Sequence, residues 1–248
     1  MYDKIKYLKA GDKAIVMEFG DSIAKDINAK ISLALEKLKE IDADGIVDIL
    51  PTYRSILINY EPSKIKYKEL LDLLKSIKLD GALDGGGRVK LIEIPTLYGG
   101  EYGPDLSFVA KHANLSEEEV IKIHSGTDYL VYMMGFLPGF AYLGGLDERI
   151  ATPRLKSPRL KIEAGSVGIA SNQTGMYPVQ SPGGWQLIGR TPLKLYDESK
   201  NPPVFIEAGN YIRYVPITEE EYKKIDEEVA EYKYQVVIKD AERSELHE

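Results

Sequence analysis

Between Tyr132 and Pro192 glycine and proline return every few residues, a spacing that forbids a long helix anywhere in the stretch. The segment reads YMMGFLPGFAYLGGLDERIATPRLKSPRLKIEAGSVGIASNQTGMYPVQSPGGWQLIGRTP. Apolar and aromatic residues fill the gaps, so it is not a low-complexity linker. Its glycines read as backbone positions that need a positive φ or a close approach, and its prolines as fixed turns. Short strands fit between the turns, at Lys161-Ile162-Glu163, Ser166 to Ala170 and Trp185 to Ile188. Loops held by strands in this way are where binding and catalytic groups tend to sit.

The rest of the composition narrows the function classes. The 248 residues, 44% of them hydrophobic, supply the cores of one large or two modest domains. Cysteine is absent, which excludes disulfides, thiolate metal sites and a cysteine nucleophile together. With 32 basic and 39 acidic side chains the net charge is -7, and no face is basic enough to expect a nucleic-acid partner. A small anionic substrate would need local arginines. There is no apolar run of membrane-spanning length, and MYDKIKYLKAGDK at the amino terminus lacks the apolar core of a signal peptide, so no membrane partner and a cytoplasmic location are expected. Abundant Lys and Glu with sparse Gln, Asn and Met is a balance seen in proteins from hot environments, which bears on stability rather than chemistry.

The first ninety or so residues have the rhythm of an α/β sandwich. Ala14 to Phe19 predicts a strand, and Ser22 can cap a helix on which Ile23, Ile27, Ile31, Leu35 and Leu38 recur at helical spacing. Gly45 to Leu50 and Ser55 to Tyr60 predict two more strands. Ser63 offers an N-cap for a second helix striped by Leu70, Leu71, Leu74 and Ile77, and Val89 to Ile94 a further strand. The order βαββαβ suits a ferredoxin-like domain. Leu83-Asp84-Gly85-Gly86-Gly87 is the best domain boundary; no GK[ST] follows these glycines, so they do not form a phosphate loop.

Further on, Leu115-Ser116-Glu117-Glu118-Glu119-Val120 combines a capping box with a hydrophobic staple and starts a helix that puts His124 in its last turn. Tyr129 to Met134 predicts a strand leading into the turn GFLPGF, and many short strands follow to Val215. Thr218 and Glu221 form a second capping box, with Ile217 and Tyr222 as staple, and the tail from Ser244 is expected to fray.

Three pieces of this chain, GFLPGF (Gly135 to Phe140), the pair Pro153-Arg154 and Pro158-Arg159, and YPVQSPGGWQLIGRTP (Tyr177 to Pro192), resemble the family variously named the 5-oxoprolinase B subunit (PxpB), allophanate hydrolase subunit 1 and the KipI kinase inhibitor. The likeness is dense over about sixty residues, far longer than a lone motif. It implies a cyclophilin-like β-barrel for the second domain, which the strand pattern alone does not single out. The expected fold is therefore α+β: a ferredoxin-like α/β sandwich over residues 1–84, then a cyclophilin-like barrel with a C-terminal helix over residues 88–248.

The resemblance also implies an activity: one chain of an ATP-dependent 5-oxoprolinase that opens 5-oxo-L-proline to L-glutamate and is inactive alone. ATP, with Mg2+, would be bound together with a partner. The implied partners are the C component of such an enzyme, similar to KipA or allophanate hydrolase subunit 2, and its A component, a protein of the LamB/YcsF type. The alternatives are a KipI-like inhibitor of a sensor histidine kinase and a role in a urea or allophanate pathway; prolyl isomerase activity would rest on fold alone, a poor guide.

The site candidates each carry two readings. Arg154 and Arg159 sit on proline-stiffened backbone and present planar forks suited to a carboxylate or phosphate, or else they cap strands and pair with Asp147, Glu148 or Glu163. His124 is the natural general base near neutral pH, or a histidine favoured by a helix C-terminus. Ser181-Pro182-Gly183-Gly184-Trp185-Gln186 offers successive backbone amides to a carbonyl or oxyanion, or is a tight turn buttressed by Trp185, the only tryptophan. With the resemblance, Gln173, Tyr177, Gln180, Ser181, Gly184, Trp185 and Gln186 become candidate substrate contacts. Phe136, with Phe140 and Tyr142, would wall a pocket or fill the barrel. No metal ligands are expected.

Overall fold

A computed structural model describes residue 2 and residues 4–79 and 88–247. The chain is α+β and divides into two compact units, Met1–Gly86 and Gly87–Glu248. The glycine-rich boundary at Leu83 to Gly87 lies outside the described residues.

The first unit runs β1 (Lys6–Lys9), β2 (Ala14–Glu18), α1 (Lys25–Ile41), β3 (Ile46–Pro51), β4 (Ser55–Tyr60) and α2 (Tyr67–Ser76). Its sheet is antiparallel throughout, in the order β1-β2-β4-β3. Ile15 and Met17 of β2, Ile56 and Ile58 of β4, Ile27, Ile31 and Leu38 of α1, and Leu70 and Leu74 of α2 form its core. Alternation in the strands and helical spacing in α1 and α2 put those residues on one face.

Three expectations for this unit need correction. The strand at Val89 to Ile94 does not close it; that segment belongs to the sheet of the second unit, and the edge beside β2 is taken by β1 instead. Ser22 does not cap α1. The backbone around it is tied to Arg54, with Phe19 N donating to Arg54 O at 2.9 Å and Arg54 Nη1 to Asp21 O at 3.4 Å, so the helix starts only at Lys25 and Ile23 stays 58% exposed. Ser63 does not cap α2 either: its N–H and hydroxyl both donate to Glu61 Oε1, closing a turn ahead of Lys66, and Glu69 reaches back to the Lys66 N–H at 2.9 Å.

The second unit opens with β5 (Arg88–Tyr98), eleven residues long. After it come α3 (Leu106–Ala113), α4 (Glu117–Ser125), β6 (Asp128–Met134), β7 (Ala141–Gly144), β8 (Arg159–Ile162), β9 (Ser166–Ala170), β10 (Gln173–Met176), β11 (Ser181–Gly183), β12 (Gln186–Arg190), β13 (Tyr211–Pro216), α5 (Glu219–Ala230) and β14 (Ile238–Glu242). The main sheet has the order β10-β9-β12-β5-β13-β6-β7. β5 pairs in parallel with β13 along one edge; on the other, its first half takes β14 and its last residues β12. The two ends of the sheet approach each other: a Cβ placed on Gly175 of β10 would stand 3.6 Å from the Ala141 carbonyl of β7. The result is a nearly closed, barrel-like sheet, with β8 and β11 as a separate ribbon.

Both capping boxes form as expected, Ser116 with Glu119 and Thr218 with Glu221. The carboxyl end does not fray from Ser244. Arg243–Glu245 makes a 3-10 turn, and His247 exchanges backbone contacts with Asp128, donating to its Oδ2 at 2.9 Å and accepting from its N–H at 2.6 Å. Asp128 is buried and also accepts two hydrogen bonds from Arg213, both 2.6 Å. Breaking a buried ion pair leaves a desolvated charge behind. Asp128→Asn is therefore expected to lower the unfolding free energy by about 2–4 kcal/mol, read from urea denaturation, and to expose the carboxyl-terminal residues to limited proteolysis.

Candidate functional site

The Gly- and Pro-rich stretch folds into a strap laid over an aromatic platform. Phe140, Tyr177 and Trp185 meet edge to face in all three pairings, with ring centroids 6.0–6.2 Å apart. That geometry sets ring edges against ring faces, as aromatic quadrupoles prefer. Tyr177 and Trp185 are buried, and Ile162, Ala170 and Leu187 complete the cluster. Gly183 is required here because a Cβ on it would sit 2.2 Å from the Tyr177 hydroxyl oxygen.

Residues 153–159 cross this platform and are stitched to it by backbone and side-chain hydrogen bonds. Leu155 N donates to Gly184 O at 2.7 Å, and Gln186 Nε2 to Pro153 O at 2.8 Å. Arg159 donates from Nη1 to Trp185 O at 3.3 Å and from Nη2 to Asp105 Oδ1 at 2.7 Å. The other carboxylate oxygen of Asp105 accepts from Leu187 N at 2.7 Å. Asp105 thus joins the start of α3, β12 and β8 through one side chain. It stands at the N-cap position of α3 yet makes no cap hydrogen bond. In sequence it reads as an ordinary helix-start residue, so its pairing with Arg159 is missed.

The two prolyl-arginines are therefore different groups. Arg159 is the one neutralised and fixed. Arg154 is exposed, its guanidinium carbon 6.0 Å from the centre of the Trp185 ring, and it makes no ion pair among the described residues. Burial raises the Tyr177 hydroxyl above its usual pKa, while the Trp185 backbone N–H and the positive charges of Arg154 and Arg159 pull it back. Neither arginine uses the acids expected for it: Asp147 pairs with Arg149 and Glu163 with Lys161.

The other candidates distribute unevenly. Gln186 holds the strap through Pro153, and Gly184 accepts from Leu155. Within the stretch Ser181 to Gln186 the Trp185 backbone N–H is used by Tyr177, which accords with the reading of a turn buttressed by Trp185, and just beyond it Leu187 N donates to Asp105. Ser181 keeps a buried hydroxyl with no hydrogen-bond partner among the described residues. Gln180 is exposed, and Gln173 opens β10 opposite Ala170. Phe136 does not wall a pocket in this chain: it is 87% exposed at the tip of its turn. A cavity of about 430 Å³ beside Lys122, Asp147 and Arg149 and a groove of about 340 Å³ beside Lys194, Lys200 and Tyr232 are lined by other residues.

His124 is not at an open surface. Its ring is fully buried among Tyr98, Tyr129 and Tyr214, with Nδ1 2.8 Å from the Tyr98 hydroxyl and Nε2 2.7 Å from Thr174 Oγ1. The Thr174 hydroxyl donates to Gly168 O at 3.1 Å, so it accepts from Nε2–H, and Nδ1 accepts from Tyr98. This is a neutral histidine, and burial lowers its pKa to about 3. Of its two expected readings, the burial and the place in the last turn of α4 favour a structural histidine over a general base.

Sheet order, the crossing strap and the platform together define a carboxyltransferase-type module. Residues 5–206 match the family described as "Carboxyltransferase domain, subdomain C and D", and the chain belongs to that family, among the 5-oxoprolinase B subunits. It is 43% identical over 229 residues to the 5-oxoprolinase B subunit of Bacillus subtilis, covering 88% of this chain and 95% of the relative. The crystal structure of TTHA0988 matches with a TM-score of 0.74 at 32% identity, over 83% of this chain and 40% of that one. Urea amidolyase of Saccharomyces cerevisiae is 25% identical over 95% of this chain but only 14% of its own length.

A histidine whose pKa falls on folding binds more protons unfolded than folded between pH 6.5 and about 3, so stability drops as pH falls through that window. Wild type is expected to lose up to about 1.4 kcal/mol per pH unit more than His124→Gln there, measured by denaturant titrations across pH. Equal slopes would remove the neutral-histidine assignment. Gly183→Ala is expected to displace Tyr177 and lower thermal stability by several degrees, roughly the effect of 1–2 kcal/mol.

Proposed function

We propose that this chain is one part of an ATP-dependent 5-oxoprolinase, opening the lactam of 5-oxo-L-proline to L-glutamate and active only with partner subunits. Membership of the family and the B. subtilis relative named as a 5-oxoprolinase B subunit support the reading. The observation that carries it is Arg154, a guanidinium held above Trp185 on a stitched strap with no carboxylate of its own among the described residues. A planar fork on rigid backbone suits the carboxylate of 5-oxoproline.

Opening the ring adds water across the amide bond: oxygen goes to the carbonyl carbon and a proton to the departing nitrogen. The step is uphill, and ATP would supply the drive by phosphorylating the amide oxygen with release of ADP; water would then break the ring C–N bond to leave an acyl phosphate, which a second water would hydrolyse to the carboxylate and inorganic phosphate. The described residues hold no cluster of acids or histidines able to bind Mg2+, and the glycine-rich loop that opens onto α3, Gly99-Gly100-Glu101-Tyr102-Gly103, is followed by Pro104-Asp105 rather than by the Lys and Ser or Thr of a phosphate loop. ATP and Mg2+ are read as bound together with a partner subunit, the partners being one KipA-like and one of the LamB/YcsF type. His124, neutral and enclosed, is not the base that activates water. We read the second unit, residues 88–248, as a cyclophilin-like barrel. Residues 1–84 are read as a ferredoxin-like layout whose outer strand comes from the amino terminus, and the location as cytoplasmic.

The test is ATP-dependent glutamate release by this chain co-expressed with its KipA-like and LamB/YcsF-type partners. Arg154→Ala is expected to lower kcat/KM at least about tenfold with an unchanged melting temperature, and Arg154→Lys to restore part of it. Arg159→Ala should lower stability instead, because it strands Asp105. Full turnover by Arg154→Ala would remove the anion-binding role. A second reading, a KipI-like inhibitor of a sensor histidine kinase, is favoured by the exposed Phe136 and Leu160; unchanged kinase autophosphorylation with saturating protein would dismiss it.

A further inference from the structure

Two large apolar side chains stand in solvent near the stitched strap, Leu160 next in sequence to its last residue and Phe136 on the turn whose Phe140 packs on Trp185. Leu160 is 94% exposed and Phe136 is 87% exposed. Neither results from a loose loop. Phe136 rides on a turn closed by Gly135 N to Phe140 O at 2.7 Å and Phe140 N to Leu137 O at 2.9 Å, and Phe140 at its base packs on Trp185 and Tyr177. Leu160 lies in β8, where simple alternation would put it on the same face as the buried Ile162. The β8–β11 pairing shifts register between Ser181 and Gly183, so Leu160 and Lys161 together face the single residue Pro182. A bulge of this kind re-aims side chains, and here it turns Leu160 outward.

Charge marks the segment that carries Leu160. The chain is acidic overall, yet Pro153 to Lys161, PRLKSPRLK, carries four cations and no acid. Asp105 neutralises Arg159 and Glu163 neutralises Lys161. Arg154 and Lys156 make no ion pair among the described residues. The face that would fit this surface has two apolar sockets and carboxylates between them.

The relatives indicate what brings such a face. The TTHA0988 chain holds this module within 40% of its length, whereas the B. subtilis relative is matched over 95% and carries the name of a subunit. Covalent linkage in the longer chain holds the module beside its neighbour at a high effective concentration. Where the module is a separate subunit, as the name of the B. subtilis relative states, the equivalent affinity has to come from an exposed surface, and the partner-dependent reading puts the same demand on this chain. We infer that Phe136 and Leu160, framed by Arg154 and Lys156, form the docking surface for the protein equivalent to the remainder of that longer chain. The inference rests on the partner-dependent reading above.

The test measures binding of this chain to that partner, expressed separately, by biolayer interferometry and by size-exclusion chromatography with light scattering. Phe136→Ser and Leu160→Ser are each expected to weaken binding roughly tenfold or more, and the pair together to abolish a stable complex. Lys156→Glu should slow association and reduce its salt dependence. Val47→Ser, which removes an exposed valine in the first unit, should change nothing. Circular dichroism and melting temperatures of all variants should match wild type, since no buried contact is lost. Equal binding by wild type and the double variant would overturn the surface assignment and leave the partner-dependent reading intact. No binding by wild type would overturn both. A wild-type self-dimer that the double variant dissociates would overturn the choice of occupant.

Discussion

One relay of hydrogen bonds inside the barrel-like sheet ties β5 and α4 to the β9–β10 hairpin: Tyr98 of β5 donates to His124 of α4, His124 to Thr174 of β10 fifty residues on, and Thr174 to the Gly168 carbonyl of β9. Every member is buried or nearly so, where an unmade bond costs the full desolvation of the group. The relay therefore fixes where the last turn of α4 enters the barrel-like sheet and which tautomer the histidine keeps. It also removes that histidine from chemistry. A histidine enclosed on all sides and held neutral by burial does not change charge near neutral pH.

The surface chemistry is divided between two arginines in identical Pro-Arg-Leu-Lys contexts. What separates them is a carboxylate fifty-four positions away from the second. Asp105 locks Arg159 to β12, and that lock anchors the strap on which Arg154 is carried. One guanidinium becomes framework so that the other can be presented with little conformational freedom to lose. No local sequence feature distinguishes them.

Much of the frame was legible. Strands at β2, β4 and β9, the capping boxes at Ser116 and Thr218, and the dense stretch after Tyr132 all declare themselves through short-range patterns. β1 and β14 were not legible, because edge strands that show mostly charged side chains carry no apolar alternation. The cap at Ser22 failed because the backbone around it is tied to the distant Arg54, and the cap at Ser63 because its hydroxyl and N–H are taken by the local turn to Glu61. At the candidate site, the residue types and spacing singled out the stretch that folds into the strap and platform. The roles of Arg159, Gln186 and His124 depend on partners distant in sequence, which no pattern within the stretch encodes.

The platform holds the sole tryptophan of the chain, directly beneath the free guanidinium. Indole emission from this protein consequently originates at one place, in a ring that is buried on one side and covered by a cation on the other. The molecule carries its own optical label where an anion or a neighbouring protein would arrive. Tyrosine-silent excitation would follow such an arrival without any attached dye, against a dark background from the rest of the fold.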